Sequence, residues 1–358
     1  MNHTGRLDLP ASVGYNAKAA DHAVNGSESE ENGDFSMNAD SHRFCIAPMM
    51  GWTDRHERSF LRLLSRRALL YTEMLTSGAL LHGNADFLLQ HHASEHPVAV
   101  QLGGSDPAQL AMAAVTAEAA GYDEINLNIG CPSDRVQSGR FGACLMARPA
   151  LVADSVRAIR NTVTIPVTVK CRIGVDSMDS DPELLSFIDA VAAAGCRRFV
   201  VHARIAVLAG LSPKENREVP PLNYERVFLV KQRFPELDIV INGGITSLES
   251  AKGLLRRVDG VMVGREVYQN PFLLREVDSL FYGESPCDKS RLDILQAYLP
   301  YIQEELRRGT PLHHMTRHIL GLFRGVPGGR HFRRHLSEHS PGNGATLNVL
   351  LDAMALVA

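Results

Sequence analysis

Glu124-Ile125-Asn126-Leu127-Asn128-Ile129-Gly130-Cys131-Pro132-Ser133 carries a short strand into a turn, with a cysteine at the strand's mouth. The strand is predicted over Glu124–Asn128, continuing the apolar-polar stretch that starts at Tyr122. A lone cysteine is most often a small buried hydrophobe. Cys131 sits between Gly130 and Pro132 and beside two asparagines, a setting that points to chemistry rather than packing.

The same strand-then-helix pattern repeats on either side. Strands are predicted at Arg43–Ile46, Leu70–Met74, Val98–Leu102, Pro166–Lys170, Arg198–His202, Asp238–Ile241 and Gly260–Val263. Helices are predicted after them, at Asp54–Ser65, Asp106–Ala120, Ala150–Asn161, Asp181–Ala194, Tyr224–Phe234, Leu248–Arg256 and Pro271–Phe281. Each strand is short and β-branched, and strand alternating with helix implies a parallel sheet. About eight such units in about 240 residues fit an α/β fold of the (β/α)8 TIM-barrel kind. A doubly wound open sheet fits less well, because no GxGxxG follows the first strand.

After Ser285 the strand signal stops. Helices are predicted at Arg291–Arg307, Pro311–Phe323, Arg330–Ser337 and Ala345–Leu356. The organisation expected is therefore a barrel over 42–284 and an all-helical domain over 285–358. Residues 1–41 are polar, acidic and rich in Asn, Ser and Gly, which predicts a disordered extension; Met37 within it is a candidate start. Between Glu305 and Glu338 no acidic residue occurs, while Arg307, Arg308, Arg317, Arg324, Arg330, Arg333 and Arg334 do. A basic helical surface interleaved with Phe323 and Phe332 suits a nucleic-acid backbone.

Composition narrows the class further. The six cysteines are scattered with no CxxC pair and no metal-ligand spacing, which predicts reduced thiols in a cytoplasmic protein and no metal site. No apolar run is long enough to cross a membrane. The net charge of -3 means that any polyanion contact must be local.

Catalytic groups of a barrel gather at the carboxyl ends of its strands. Those ends read Ala47-Pro48-Met49-Met50-Gly51, Gln101-Leu102-Gly103-Gly104, Asn128 with Cys131, Lys170-Cys171-Arg172, His202-Ala203-Arg204, Asn242-Gly243-Gly244 and Gly264-Arg265. Nothing comparable is read at the opposite ends. The glycines after strands seven and eight are where barrels often hold a phosphate. Lys170 is a cation at the mouth.

Ala47-Pro48-Met49-Met50-Gly51-Trp52-Thr53-Asp54-Arg55, Asn126 to Ser133, Thr168-Val169-Lys170-Cys171-Arg172 and Asn242-Gly243-Gly244 together resemble the tRNA-dihydrouridine synthases. Tyr71-Thr72-Glu73-Met74, Leu211-Ser212-Pro213-Lys214-Glu215-Asn216-Arg217, Val261-Met262-Val263-Gly264-Arg265 and Thr316 to Phe323 are similar to the A subfamily in particular. The resemblance spans about residues 42–357. It implies a barrel that binds FMN and a helical domain that binds tRNA, with NADPH as reductant. The implied reaction passes hydride to C6 of a D-loop uridine, at positions 20 and 20a, and a proton to C5.

By the same resemblance Cys131 is the proton donor. FMN would be held by Ala47, Pro48, Met49, Gln101, Lys170, His202, Asn242, Gly243, Gly244, Gly264 and Arg265. Asn128 would meet the target uridine rather than serve the turn. Arg172, Lys214, Arg217, Arg330 and Arg333 would lie on the substrate side, against tRNA. The protein would act as a monomer with no stable protein partner. Gly51 stands where the A subfamily often has Asp, and Ile205 where it has Lys, which removes a cation. Two other readings compete: an FMN-dependent reductase or dehydrogenase of a free pyrimidine, and a tRNA-binding module without catalysis. The Arg-rich tail and the Lys214 loop argue against the first, since a small substrate needs neither. Cys131, Lys170 and His202 argue against the second.

Overall fold

The computed structural model describes residues 39–342 and 344–357. Met37 and most of the predicted extension lie outside them. Ser41, however, belongs to the fold: Ala39–His42 form a 3-10 turn, and the buried Ser41 hydroxyl bonds the His42 ring at 2.8 Å.

Eight parallel strands run in chain order: β1 Phe44–Ile46, β2 Leu70–Thr76, β3 Val98–Gly103, β4 Glu124–Ile129, β5 Val167–Arg172, β6 Arg198–His202, β7 Asp238–Asn242 and β8 Gly260–Val263. From β2 onward each pairs with the next, and β8 pairs with β1. The ring closes where the Ile46 N–H donates to the Leu69 carbonyl (2.9 Å) and the Leu69 N–H to that of Phe44 (3.0 Å). The strand pattern therefore makes a TIM barrel, as its period implies.

Side chains alternate across each strand. One set packs with the surrounding helices as the large outer core. The other fills the interior, where Cys45, Tyr71, Ala99, Val200, Val240 and Met262 form a small apolar plug. The floor of the barrel overturns one expectation. Glu124, fully buried, bonds His42 at 2.6 Å, and Arg198 pairs with Asp238 at 2.7 Å. The amino ends of the strands are polar too, because a barrel this narrow turns side chains from all strands onto one axis, where charges must pair.

The helical segment packs directly on the barrel at the start of helix Arg55–Arg62. Asp54 caps that helix, accepting from the backbone N–H of His56 (2.9 Å) and Glu57 (3.0 Å). The same carboxylate bonds Arg317 and His318. Arg55 meets the buried Glu305 through two hydrogen bonds of 2.7 and 2.5 Å, and the Tyr298 hydroxyl donates to the His56 carbonyl at 2.8 Å.

These ties shorten one predicted helix. In place of Pro311–Phe323, the helix spans Leu312–Thr316 and then tightens into i→i−3 turns. Arg317 and His318 are drawn to Asp54, and Gly321 packs so closely that a Cβ would lie 2.6 Å from the Gln269 carbonyl. Tertiary contact overrides the local pattern here. Phe323 and Phe332 are likewise core residues, 3% and 0% exposed with ring centroids 4.7 Å apart, so they are not part of an exposed surface. Among the described residues no helix is long and apolar enough to cross a membrane.

Burial alone would raise the Asp54 pKa, but His318, the Glu57 N–H and His56 override it and hold the carboxyl well below its usual range. Its stabilisation is thus present above the unfolded value of about 4 and is lost as pH falls toward the lower folded value. Asp54→Ala should lower the unfolding free energy by about 1–2 kcal/mol through the lost cap, measured by urea unfolding at neutral pH. The gap between wild type and variant should close as the pH is taken down through 4.

Candidate active site

The turn after β4 is built around one side chain. Asn128 Oδ1 accepts from the backbone N–H of Gly130 (3.1 Å) and of Cys131 (2.9 Å). The carbonyls of the turn are held as well. Arg172 Nε donates to that of Gly130 (2.9 Å), the Ala143 N–H to that of Cys131 (2.9 Å), and Gln137 Nε2 to that of Pro132 (2.8 Å). With its backbone groups paired, the turn presents a half-buried, free Cys131 thiol within 3.5 Å of the Ser133 hydroxyl. Asn128 therefore does serve the turn, where the sequence pointed to a uridine contact. One Nδ2 hydrogen goes to Gln101 Oε1 at 2.7 Å, which leaves a single amide hydrogen for a ligand.

The strand register puts the predicted rim together. Asn128 aligns with Lys170, Arg172 with His202, and His202 with Asn242. Gly264 lies against the β1 end, where a Cβ would come within 3.3 Å of Ala47 and 3.5 Å of Met49 Sδ. Pro48 lies between them, half-buried. Gln101 is 1% exposed, and its amide is engaged at both ends, to Asn126 and Asn128.

This rim holds more positive charge than it pairs. Lys170 donates to Asn242 Oδ1 at 3.1 Å and has no carboxylate partner among the described residues. Burial and the neighbouring Arg172 charge bring its pKa down to about 8, despite Cys171 and Cys131. Burial also pushes His202 well below its ordinary value, aided by Arg172, Lys170, Arg204 and Arg217, so its ring is neutral at pH 7. Arg217 is exposed, and its pKa is lowered by burial of its inner atoms and by the Arg265 charge. An anion placed here would relieve every one of these costs.

The loop after β7 supplies the matching cradle. Gly243 has φ +116° and Gly244 φ +68°, backbone that strains any other residue. A Cβ on Gly243 would come within 2.7 Å of the His202 ring, and one on Gly244 within 2.4 Å of Leu222. The His202 and Leu222 side chains thus occupy the space that a Cβ would take, so this loop has to be glycine backbone. Arg265, at the β8 end, pairs with Glu218 at 2.6 Å. Gly51 fits for a similar reason: at φ +77° its N–H donates to Glu73.

One predicted contact is buried. Arg172 is only 3% exposed and spends its guanidinium on three carbonyls, of Gly130, Ile205 (2.8 Å) and Asn216 (3.0 Å), so it clamps three loops rather than lying open to tRNA. The basic tail also divides. Arg307 and Arg308 pair with Glu304, Arg317 with Asp54, and Arg324 with Glu266. Arg330 and Arg333 are exposed on helix Gly329–His339 and have no acidic partner among the described residues. Lys214 is exposed on the loop before the 3-10 turn Glu215–Arg217, whose Asn216 is fully buried and bonded to Val207, Leu211 and Ser212.

Sequence reasoning passed over Glu124, Asn126, Thr168 and Asn216. A signal for the first two was available: Glu124, Asn126 and Asn128 put a polar residue at every second position of a strand, whereas a buried parallel strand ordinarily reads as a continuous apolar run.

Residues 45–356 match the family described as "Dihydrouridine synthase (Dus)". A tRNA-dihydrouridine(20/20a) synthase of Escherichia coli O6:H1 is 59% identical over 329 residues, covering 90% of this chain and 99% of that protein. Proteins of the same description from Shewanella oneidensis and Vibrio cholerae are 58% and 56% identical, covering 86% and 88% of this chain and 91% and 96% of their own lengths. The chain belongs to the dihydrouridine synthase family.

Proposed function

We propose that this protein reduces the C5–C6 bond of uridines at positions 20 and 20a in the tRNA D-loop, giving 5,6-dihydrouridine. The observation that carries the reading is a free thiol, fixed by Asn128, on the same rim as an unneutralised cation and two close-approach glycines.

The residues present fit FMN. The backbone N–H groups of Gly243 and Gly244, after β7, would meet its phosphate, and Lys170, which has no carboxylate partner among the described residues, would face an anionic reduced ring. Ala47, Pro48, Met49, Gln101, His202, Asn242, Gly264 and Arg265 would complete the cofactor site. Bound FMN, reduced by NADPH, supplies the hydride that reaches C6 of the uracil. Cys131 holds the proton for C5, a role suited to a thiol near neutral pH. Asn128 offers its remaining amide hydrogen to the uracil edge, and Arg217 stands beside the same pocket. The base must leave its stack to enter the barrel, so the tRNA backbone has to be gripped elsewhere. Lys214, Arg330 and Arg333 are exposed cations suited to that grip, since folded RNA is read largely by shape and phosphates. Arg172 serves this site from behind, by holding its loops. A reducing cytoplasm would keep the thiol available, and the protein would act as a monomer.

Purified protein should be yellow and release FMN on denaturation. Cys131→Ala should retain FMN and tRNA binding yet lose dihydrouridine formation by about 100-fold or more, scored by mass spectrometry of tRNA; undiminished turnover would refute the proton-donor role. Replacing both Arg330 and Arg333 by Ala should weaken tRNA binding and lower the slope of log K against log salt by about one to two. An unchanged slope would remove them from the interface.

A further inference from the structure

We propose that Glu124, at the floor of the barrel, is a positioning residue for Cys131, acting through a directional ladder of hydrogen bonds that fixes the orientation of Asn128. The inference rests on the functional reading above and adds Glu124, Thr168 and Asn126, which that reading does not use.

Glu124 Oε2 accepts from His42 Nε2 at 2.6 Å, and Oε1 accepts from the hydroxyls of Thr168 (2.6 Å) and Tyr71 (3.1 Å). Asn126 Nδ2 donates to Thr168 Oγ1 at 2.8 Å, Gln101 Nε2 to Asn126 Oδ1 at 2.8 Å, and Asn128 Nδ2 to Gln101 Oε1 at 2.7 Å. Asn128 Oδ1 then receives the N–H groups of Gly130 and Cys131. The chain of bonds zigzags up β3, β4 and β5, from the floor to the mouth.

Its direction is set from below. Burial would raise the Glu124 pKa, but the charge and hydrogen bond of His42, the Thr168 hydroxyl and the Arg198 charge hold it lower, so the group is a carboxylate at neutral pH. A carboxylate only accepts. The one hydroxyl hydrogen of Thr168 therefore points down, and its lone pairs face Asn126. Each amide above must then present nitrogen downstream of oxygen in a fixed sense. A primary amide turned by 180° fills the same space, so shape alone does not choose between the two orientations. A reversed Asn128 would set its NH2 against the N–H groups of Gly130 and Cys131 and leave them unpaired. It would also turn an oxygen, not a hydrogen, toward the ligand. Polar networks that are fully satisfied specify one arrangement, and this one specifies where the thiol sits.

Thr168→Val removes the relay at nearly constant shape, and Thr168→Ser keeps it. With the holoenzyme and tRNA lacking dihydrouridine, Thr168→Val should lower kcat per bound FMN by about 10-fold or more, and change NADPH-driven reduction of the bound flavin by less than about 2-fold; Ser should restore kcat. The rate of Cys131 alkylation by iodoacetamide, followed by peptide mass, should shift in the Val variant and not in the Ser variant. Wild-type kcat in the Val variant, or a loss shared equally by FMN content and not rescued by Ser, would overturn the proposal. So would equal alkylation rates in all three proteins. A wild-type protein that forms no dihydrouridine would sink the functional reading instead, and the alkylation rates would still decide the ladder.

Discussion

One oxygen, Asn128 Oδ1, accepts two consecutive backbone N–H groups, and the reactive end of the molecule depends on it. Without that bond the Gly130–Cys131 turn would expose two donors in a half-buried mouth and lose its fixed shape. The surrounding structure is arranged to keep it. Arg172 fastens the carbonyl before the cysteine to the loops after β6, and the Ala143 N–H fastens the carbonyl of the cysteine itself. A side chain that reads as a substrate-facing cation in the sequence thus proves to be a clamp, because a guanidinium can satisfy several carbonyls at once where a short polar residue cannot.

Charge divides the molecule in a consistent way. At the floor, charges are paired: Glu124 with His42, Arg198 with Asp238. At the mouth, Lys170 is half-buried, has no acidic partner among the described residues and feels the Arg172 charge. Paired charge at the closed end stabilises the fold, and unpaired charge at the open end favours an anion. The helical segment repeats the division on a larger scale. Arg317 and Arg324 are bound to Asp54 and Glu266 of the barrel and Arg307 to Glu304 of its own helix, while Arg330 and Arg333 remain exposed.

Much of the architecture was legible in the chain. Strands such as Arg198–His202 and Gly260–Val263 stand where their β-branched runs predicted, since short buried strands leave little else to read. The rim was legible too, because topology alone brings the strand ends together: Asn128, Lys170, His202 and Asn242 are register neighbours. What escaped depended on contacts between distant segments. The helix expected to reach Phe323 stops at Thr316 because Asp54, over 260 positions away, claims Arg317 and His318. Phe323 and Phe332 looked like surface aromatics among arginines, yet they face each other in the core. Glu124 and Thr168 gave no local sign of their partnership, which exists only once β4 lies beside β5.

The central claim is that this chain reduces D-loop uridine in tRNA. It is tested most directly by mapping dihydrouridine, by mass spectrometry, in tRNA from a strain that lacks the gene. The account predicts that dihydrouridine disappears at positions 20 and 20a, persists elsewhere, and returns when the gene is restored. Unchanged dihydrouridine at both positions, in a strain with no second protein of this family acting there, would contradict it.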